Sequence, residues 1–173
     1  MSNYQQMSEA AEAARKGYLD YQQRIWGYFS TIMNGLTQHC GVPQDRMVWM
    51  KWNGIDGPGG HFAIADDGMR YALPGAITYD DHDNSFNLGV LIYMTPATHL
   101  PRLPVAFGLW ISEKNGVPSI RVGRDGKARL VALQNEVQKN SFCEEIAREI
   151  VEAYAFPPNE NQKSIGFDIG SLA

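Results

Sequence analysis

The sequence predicts an α+β fold: one antiparallel β-sheet with a long N-terminal helix and a C-terminal helix packed on one of its faces. Three observations support this prediction. Apolar residues recur at helical spacing near both ends of the chain, the middle alternates with the two-residue period of strands, and Asp-Gly and Asn-Gly pairs separate the strand-like runs. Parallel strands need long crossovers, so tight turns predict antiparallel, meander-like pairing of about six or seven strands.

The N-terminal helix is predicted over residues 8 to about 39, with Ser8 as its cap and Gly41 and Pro43 after its end. Its apolar residues follow one another at spacings of three and four, which is the pattern of an amphipathic helix. The stripe consists of Ala11, Ala14, Tyr18, Tyr21, Ile25, Tyr28, Ile32 and Leu36.

Six segments in the middle of the chain have strand-like sequences. The turn pairs are Asp67-Gly68, Asn115-Gly116 and Asp125-Gly126. The predicted strands lie in RMVWMKW (46–52), HFAIAD (61–66), SFNLGVLIYMT (85–95), PVAFGLWIS (104–112), PSIRVG (118–123) and ARLVAL (128–133).

The second helix is predicted to begin near Ser141, which forms a capping-box pattern with Glu144. Two prolines at 157 and 158 end it. The length of 173 residues suits one domain spanning 1–173, with 1–7 and 157–173 expected as extended tails. Alternating apolar residues between 165 and 169 are compatible with a short edge strand.

The composition is that of an ordinary globular protein with a formal net charge of −4 and a pI of about 5.5. This balance makes nucleic acid an unlikely partner, and neither a signal-peptide pattern nor an apolar run of membrane-helix length is present. The two cysteines, Cys40 and Cys143, form no C-x-x-C pair. We therefore expect a cytoplasmic protein with reduced thiols, no cofactor and no membrane association; a homodimer is compatible with the sequence.

The segment YDDHDN (79–84) is the strongest candidate for a metal site. The segment matches the first ligand positions of a calcium-binding loop. That loop requires a glycine at the position of Phe86 and a glutamate at the position of Ile92, so the match fails at both. Asp and Asn are also favoured in turns because they bond their own backbone, so we expect a polar turn between strands. The alternative is a metal-dependent hydrolase that uses Asp80, Asp81, His82 and Asp83.

No other segment carries a specific catalytic pattern. The glycine-rich run GIDGPGG (54–60) leads into a strand pattern and lacks the Lys-Ser/Thr of a phosphate-binding loop. There is no G-x-S-x-G, S-x-x-K or H-E-x-x-H motif. Cys40 follows His39 directly, and adjacent residues on a helix do not face each other.

Charges are segregated along the chain. Residues 56–83 hold six aspartates and one arginine, whereas residues 102–129 hold six lysines and arginines and two acidic residues. Either neighbouring strands pair these charges across the sheet, or they form a bipolar surface that orients a charged partner. Under the second interpretation the binding residues are Arg121, Arg124 and Lys127.

Tryptophans add to this surface. Trp49 and Met50 alternate on one predicted strand, so either both faces of the sheet are covered or one has an exposed apolar patch. We expect Trp49 and Trp52 to contribute to binding, since tryptophan is enriched at hot spots. A further alternative is a small-ligand pocket between sheet and helix, lined by Trp49, Trp52 and Trp110.

The leading hypothesis from the sequence is a non-catalytic macromolecule-binding protein, such as an inhibitor, an escort chaperone or an accessory subunit. Its expected partner is another protein. The hydrolase and the small-ligand module stay as alternatives.

Overall fold

The computed structural model describes residues 2–52, 62–63, 71–94, 104–123, 126–153 and 168–169. The helices are α1 (Asn3–Gln38), the one-turn α2 (Leu73–Ala76) and α3 (Glu136–Ala153), with a 3₁₀ turn at Gln44–Arg46. The strands are β1 (Met47–Trp52), β2 (Phe62–Ala63), β3 (Thr78–Asp80), β4 (Ser85–Tyr93), β5 (Pro104–Lys114), β6 (Val117–Val122), β7 (Arg129–Leu130) and β8 (Asp168–Ile169).

The strands form one sheet in the order β2-β1-β4-β5-β6-β7, and all the strand pairs are antiparallel. β1 and β3 lie end to end along one edge of β4, because β5 occupies the other edge over its whole length. β8 pairs with β5 at Val105 and Ala106, beyond the end of β6. The predicted α+β class with an antiparallel sheet is thus confirmed.

The main core lies between the two long helices and one face of the sheet. It contains fully buried residues of α1, α3 and the inward positions of the strands, among them Ile25, Phe29, Ile32, Phe142, Ile146, Leu88, Val90, Leu109 and Ile111. The helices themselves meet at Gly35, where an added Cβ would lie 2.6 Å from the Cys143 sulfur. Only glycine permits this approach without a shift of the buried thiol.

A smaller cluster covers the opposite face, which we call the outer face. Val48, Met50, Leu91 and Ala106 are buried there, with Phe62 and Tyr93 packed against them. β4 and β5 are therefore buried on both faces over most of their length. Trp49 and Met50 lie on opposite faces of the sheet, and both pack against apolar neighbours. The first of the two alternatives, with both faces covered, therefore holds at this strand.

Three element boundaries differ from the predicted ones by several residues. α1 begins at Asn3, because Ser2 and Gln5 form a reciprocal capping box, and residues 3–7 are helix and not an extended tail. α3 begins at Glu136, because the Asn135 side chain accepts the Gln138 backbone N–H at 3.1 Å. Ser141 therefore lies inside the helix. Within the predicted strand 128–133, only Arg129–Leu130 pair.

Candidate functional site

The acidic segment forms the hairpin turn between β3 and β4. Asp80 Oδ1 accepts the backbone N–H of His82 at 3.0 Å, and Asp83 Oδ1 accepts the backbone N–H and the hydroxyl of Ser85. Asn84 has a positive φ of 53°, which asparagine adopts more readily than most residues. The two aspartates thus bond their own local backbone, which is the geometry on which the turn interpretation depends.

Asp83 also forms an ion pair with Arg121 of β6. Arg121 Nη2 lies 3.1 Å from Asp83 Oδ2, and its guanidinium carbon lies 5.0 Å from the centre of the Trp110 ring. This contact joins the acidic and basic segments across the sheet. Within the described ranges, no three His, Cys, Asp or Glu side chains converge as a metal-ligand set. The hydrolase hypothesis stays a prediction.

The outer face carries an aromatic cluster of Trp52, Phe62 and Trp110. Their ring centroids lie 4.9 Å (Trp52 to Phe62), 5.5 Å (Phe62 to Trp110) and 6.0 Å (Trp52 to Trp110) apart. The Phe62 ring lies on the paired glycines Gly89 and Gly108, where an added Cβ would come within 2.6 Å and 2.4 Å of it. The rings thus pack on one another and on bare backbone, and Trp110 is 5% exposed.

The predicted binding residues do not share one surface. Trp49 packs into the core on the helix side, whereas Trp52 and Trp110 lie on the outer face. Arg121 is held against Trp110, Lys127 is exposed, and Arg124 lies outside the described residues. A cleft of about 230 Å³ lies between the ends of α1, β4 and α3, and none of the described residues lining it is a tryptophan.

The two thiols are weak nucleophiles. Burial raises the pKa of Cys143 to about 11, and burial, followed by the nearby Glu144 carboxylate, raises the pKa of Cys40. His39 Nε2 lies 2.7 Å from a Glu144 oxygen and so has a partner other than its neighbour Cys40. This arrangement provides no activated cysteine.

An exposed apolar surface lies on the N-terminal half of α1. Every residue from 2 to 20 is exposed, and the helix rises about 1.5 Å per residue, so the exposed stretch before Tyr18 is about 22 Å long. Tyr4 is 78% exposed, Met7 70% and Tyr18 44%. Single exposed apolar residues are common on protein surfaces, but these lie on one face of a helix.

A continuous stripe of mainly apolar residues runs along α1, and we call it the seam. It alternates spacings of three and four residues from one end of the helix to the other: Tyr4, Met7, Ala11, Ala14, Tyr18, Tyr21, Ile25, Tyr28, Ile32 and Gly35. From Ile25 onward the seam is buried against α3 and the sheet, and before Tyr18 nothing in the described part of the chain covers it. This seven-residue repeat is that of coiled-coil helices.

A ring cluster marks the boundary between the covered and exposed parts of the seam. The Phe86 ring lies 5.7 Å from Tyr21, 6.5 Å from Tyr18 and 5.0 Å from Tyr79, measured between centroids. The Tyr79 hydroxyl donates to Asn84 Oδ1 at 2.8 Å, which fixes this ring at the acidic turn. The seam therefore leaves the protein body over a partly exposed aromatic surface.

The base of the exposed half is held by a hydrogen-bond network. Arg24 donates two hydrogen bonds to Glu113 of β5, at 3.0 Å and 3.1 Å, and the Tyr28 hydroxyl donates a third at 2.8 Å. The Arg24 hydrogen bond, assisted by that of Tyr28, lowers the pKa of Glu113, while burial and the bond to Glu113 raise the pKa of Tyr28 to about 12. This contact links α1 to β5 at the base of its exposed half.

Tyr4 and Met7 were missed by the sequence analysis. Placing the helix start at Ser8 cut off the first two positions of the repeat. The signal was present, since the spacing from Ala11 back to Met7 and Tyr4 continues the same pattern.

Comparison with known proteins gave no match to a family model, to a curated protein sequence or to a solved structure. None of the helices in the described ranges is long and apolar enough to cross a membrane.

Proposed function

We propose that this protein acts by binding another polypeptide, and that the exposed half of the seam on α1 is its binding surface. The observation that carries the proposal is the continuity of the seam: the same repeat that packs the core in one half of the helix is solvent-exposed in the other half. A helix whose apolar stripe faces water loses the burial energy of that stripe, about 25 cal/mol for each Å² left exposed.

The partner that fits this surface is an α-helix with an apolar stripe of its own. An apolar stripe with a period of 3.5 residues stays in contact with its partner along its whole length when that partner is another α-helix wound around it. Alanines at 11 and 14 allow a close approach in the middle of the exposed half, and larger side chains flank them at Met7 and Tyr18. Charges on the rest of the helix, acidic at Glu9 and Glu12 and basic after them, favour a partner with the opposite order.

Photocrosslinking in cells tests this proposal. A benzophenone amino acid replaces Ala11 on the seam, and the control variant carries it at Ala13, an alanine of the same exposed helix that lies off the seam. We expect a discrete crosslinked product from position 11 and not from position 13. The crosslinked peptide, read by mass spectrometry, should be an apolar-striped helical segment.

A charge on the seam provides the second arm of the test. Ala11→Asp should abolish the product obtained with the crosslinker at Ala14, since it places an unpaired charge in a desolvated contact. Ala13→Asp has the same helix-propensity cost and should leave the product in place. Equal products from the two crosslinker positions, or none from either, would contradict the proposal.

A further inference from the structure

We infer that the helix covering the seam is α1 of a second copy of this chain, packed antiparallel; this inference rests on the proposed function of the seam. A twofold axis makes both copies use the same surface, so that if residue i of one contacts residue j of the other, j also contacts i. The exposed half of α1 must then be complementary to itself in size and in charge, and it is complementary in both.

Size complementarity appears when the axis is placed between Ala11 and Ala14. Ala11 of each copy then lies beside Ala14 of the other, and the two helices meet through a layer of four small side chains. One layer farther out, Met7 lies beside Tyr18, and beyond that Tyr4 lies beside Tyr21. The seam uses the first and fourth positions of the seven-residue repeat. Each layer pairs a residue at the first position with one at the fourth, as antiparallel helices require.

Charge complementarity selects the same direction. Glu9 and Glu12 precede Arg15 and Lys16 along the helix, and the antiparallel arrangement sets the acidic turn of each copy beside the basic turn of the other. Parallel helices would place like charges at the same level. The helix dipoles are also opposed in the antiparallel pair, which is the favourable arrangement of their ends.

The two protein bodies complete the contact without obstructing it. Each body buries its own seam only from Ile25 onward and leaves Tyr18 and Tyr21 partly open, so the bodies stand at opposite ends of the helix pair. The partner copy's first turn then reaches the partly exposed rings of Tyr18 and Tyr79, which are 44% and 39% exposed. Tyr4 of the incoming helix adds a further ring to the cluster around Phe86.

Light scattering on the purified full chain tests the assembly. We expect a species of twice the mass of one chain that dissociates on dilution. Ala11→Asp should shift it to the mass of a single chain, and Ala13→Asp should leave the dimer unchanged. A single-chain mass for the unchanged protein at all concentrations would overturn the inference.

Disulfide formation tests the direction of the helices. In a Cys40→Ser background, protein with Met7→Cys is mixed with protein carrying Tyr18→Cys; the remaining native thiol, Cys143, is buried. The antiparallel pair brings positions 7 and 18 together, so oxidation should link the two variants to each other. Met7→Cys alone should stay unlinked, because its two copies would lie about 16 Å apart along the axis and a disulfide needs Cα atoms within about 7 Å. A disulfide between two Met7→Cys chains would overturn the antiparallel arrangement.

The two proposals fail in different ways. If the purified chain is monomeric while position 11 crosslinks to a different protein in cells, the second copy is excluded and the binding surface stands. If neither assay gives a product, both proposals fall.

Discussion

Asn87 lies near the start of β4 with its side chain fully buried on the outer face. Its cross-strand neighbours are Thr78 on one side and Trp110 on the other. Among the described residues, neither the side-chain nitrogen nor the oxygen of Asn87 has a hydrogen-bond partner, and the same is true of the Thr78 hydroxyl. Burying an unpaired amide costs about 1–3 kcal/mol, so this position is less stable than an apolar residue of the same shape would be.

Asn87→Leu should therefore raise the stability of the protein, by about 1 kcal/mol after allowance for imperfect packing of the new side chain. Urea unfolding at neutral pH measures the change, and Asn87→Ala serves as the control, because it removes the amide without filling the space. A loss of stability in Asn87→Leu would show that the amide is hydrogen-bonded in solution.

At the scale of the element, α1 consists of two halves with one repeat and different surroundings. Ile32 is fully buried against the core, whereas Tyr4, on the same seam, is 78% exposed. Burying a large apolar side chain such as that of Ile32 contributes about 1.5–3 kcal/mol to stability, so packing against the core stabilises the C-terminal half of α1. The N-terminal half is held by its capping box and by helix-favouring residues such as Ala10 and Glu12.

Ile32→Asp should unfold the protein, because it buries an unpaired charge in the main core. Tyr4→Ala should change the unfolding free energy of the isolated chain by no more than about 0.5 kcal/mol, as surface substitutions usually do. Circular dichroism with thermal unfolding compares the two variants at a concentration low enough to keep the chain monomeric. A folded Ile32→Asp protein would contradict the position of the core face of α1.

The elements were predictable to the extent that local patterns determine them. The repeat of α1 and the alternation in β4 and β5 gave the correct element types, because each buries an extended apolar face. The start of α3 was misplaced, because the Ser141–Glu144 pattern resembled a cap more closely than the single Asn135 that caps the helix. Strand pairing was harder to predict from the sequence, because β3, β7 and β8 are two or three residues long and are defined by their neighbours in the sheet.

The candidate site was only partly predictable from sequence. The self-bonded turn at Asp80 and Asp83 followed from turn chemistry. Trp49 and Trp52 lie three residues apart on β1, so alternation alone places them on opposite faces of the sheet. The face that carries Trp110 depends on how β4 and β5 pair with β1, which the sequence does not show. The sequence left open whether Arg121 pairs within the sheet or binds a partner, because it does not show that Asp83 lies within ion-pair distance in the folded sheet.

At the scale of the whole molecule, two half-buried carboxylates, Glu113 and Glu149, have opposite effects on stability as pH changes. The hydrogen bond from Arg24 and then that from Tyr28 lower the pKa of Glu113 from its ordinary 4.5. Its contribution to stability is therefore complete above that value and is lost as pH falls through the lowered pKa. Burial, followed by repulsion from Glu145, raises the pKa of Glu149, so its charged form opposes folding at neutral pH and that opposition disappears in acid.

Glu113→Gln should lower the melting temperature at pH 7, and the difference from the unchanged protein should shrink as pH falls below 4.5, where Glu113 itself becomes protonated in the unfolded chain. Glu149→Gln is the matched variant and should show the opposite sign at pH 7. Scanning calorimetry from pH 7 to pH 3 measures both. A constant difference for Glu113→Gln over that range would show that its charge plays no part.

β8 pairs with β5 although it follows β5 along the chain by more than fifty residues, so this pairing can form only after β4 and β5 have been synthesised. Val105 and Ala106 are buried in an interior strand, and the edge that β6 leaves uncovered there is occupied by Asp168 and Ile169. A nascent chain that has already formed the β4–β5 hairpin therefore keeps part of that backbone edge unpaired until residue 169 has been synthesised. During that interval the unpaired edge of β5 can pair with a strand of another nascent chain. Slower synthesis lengthens the interval and so raises the risk of aggregation.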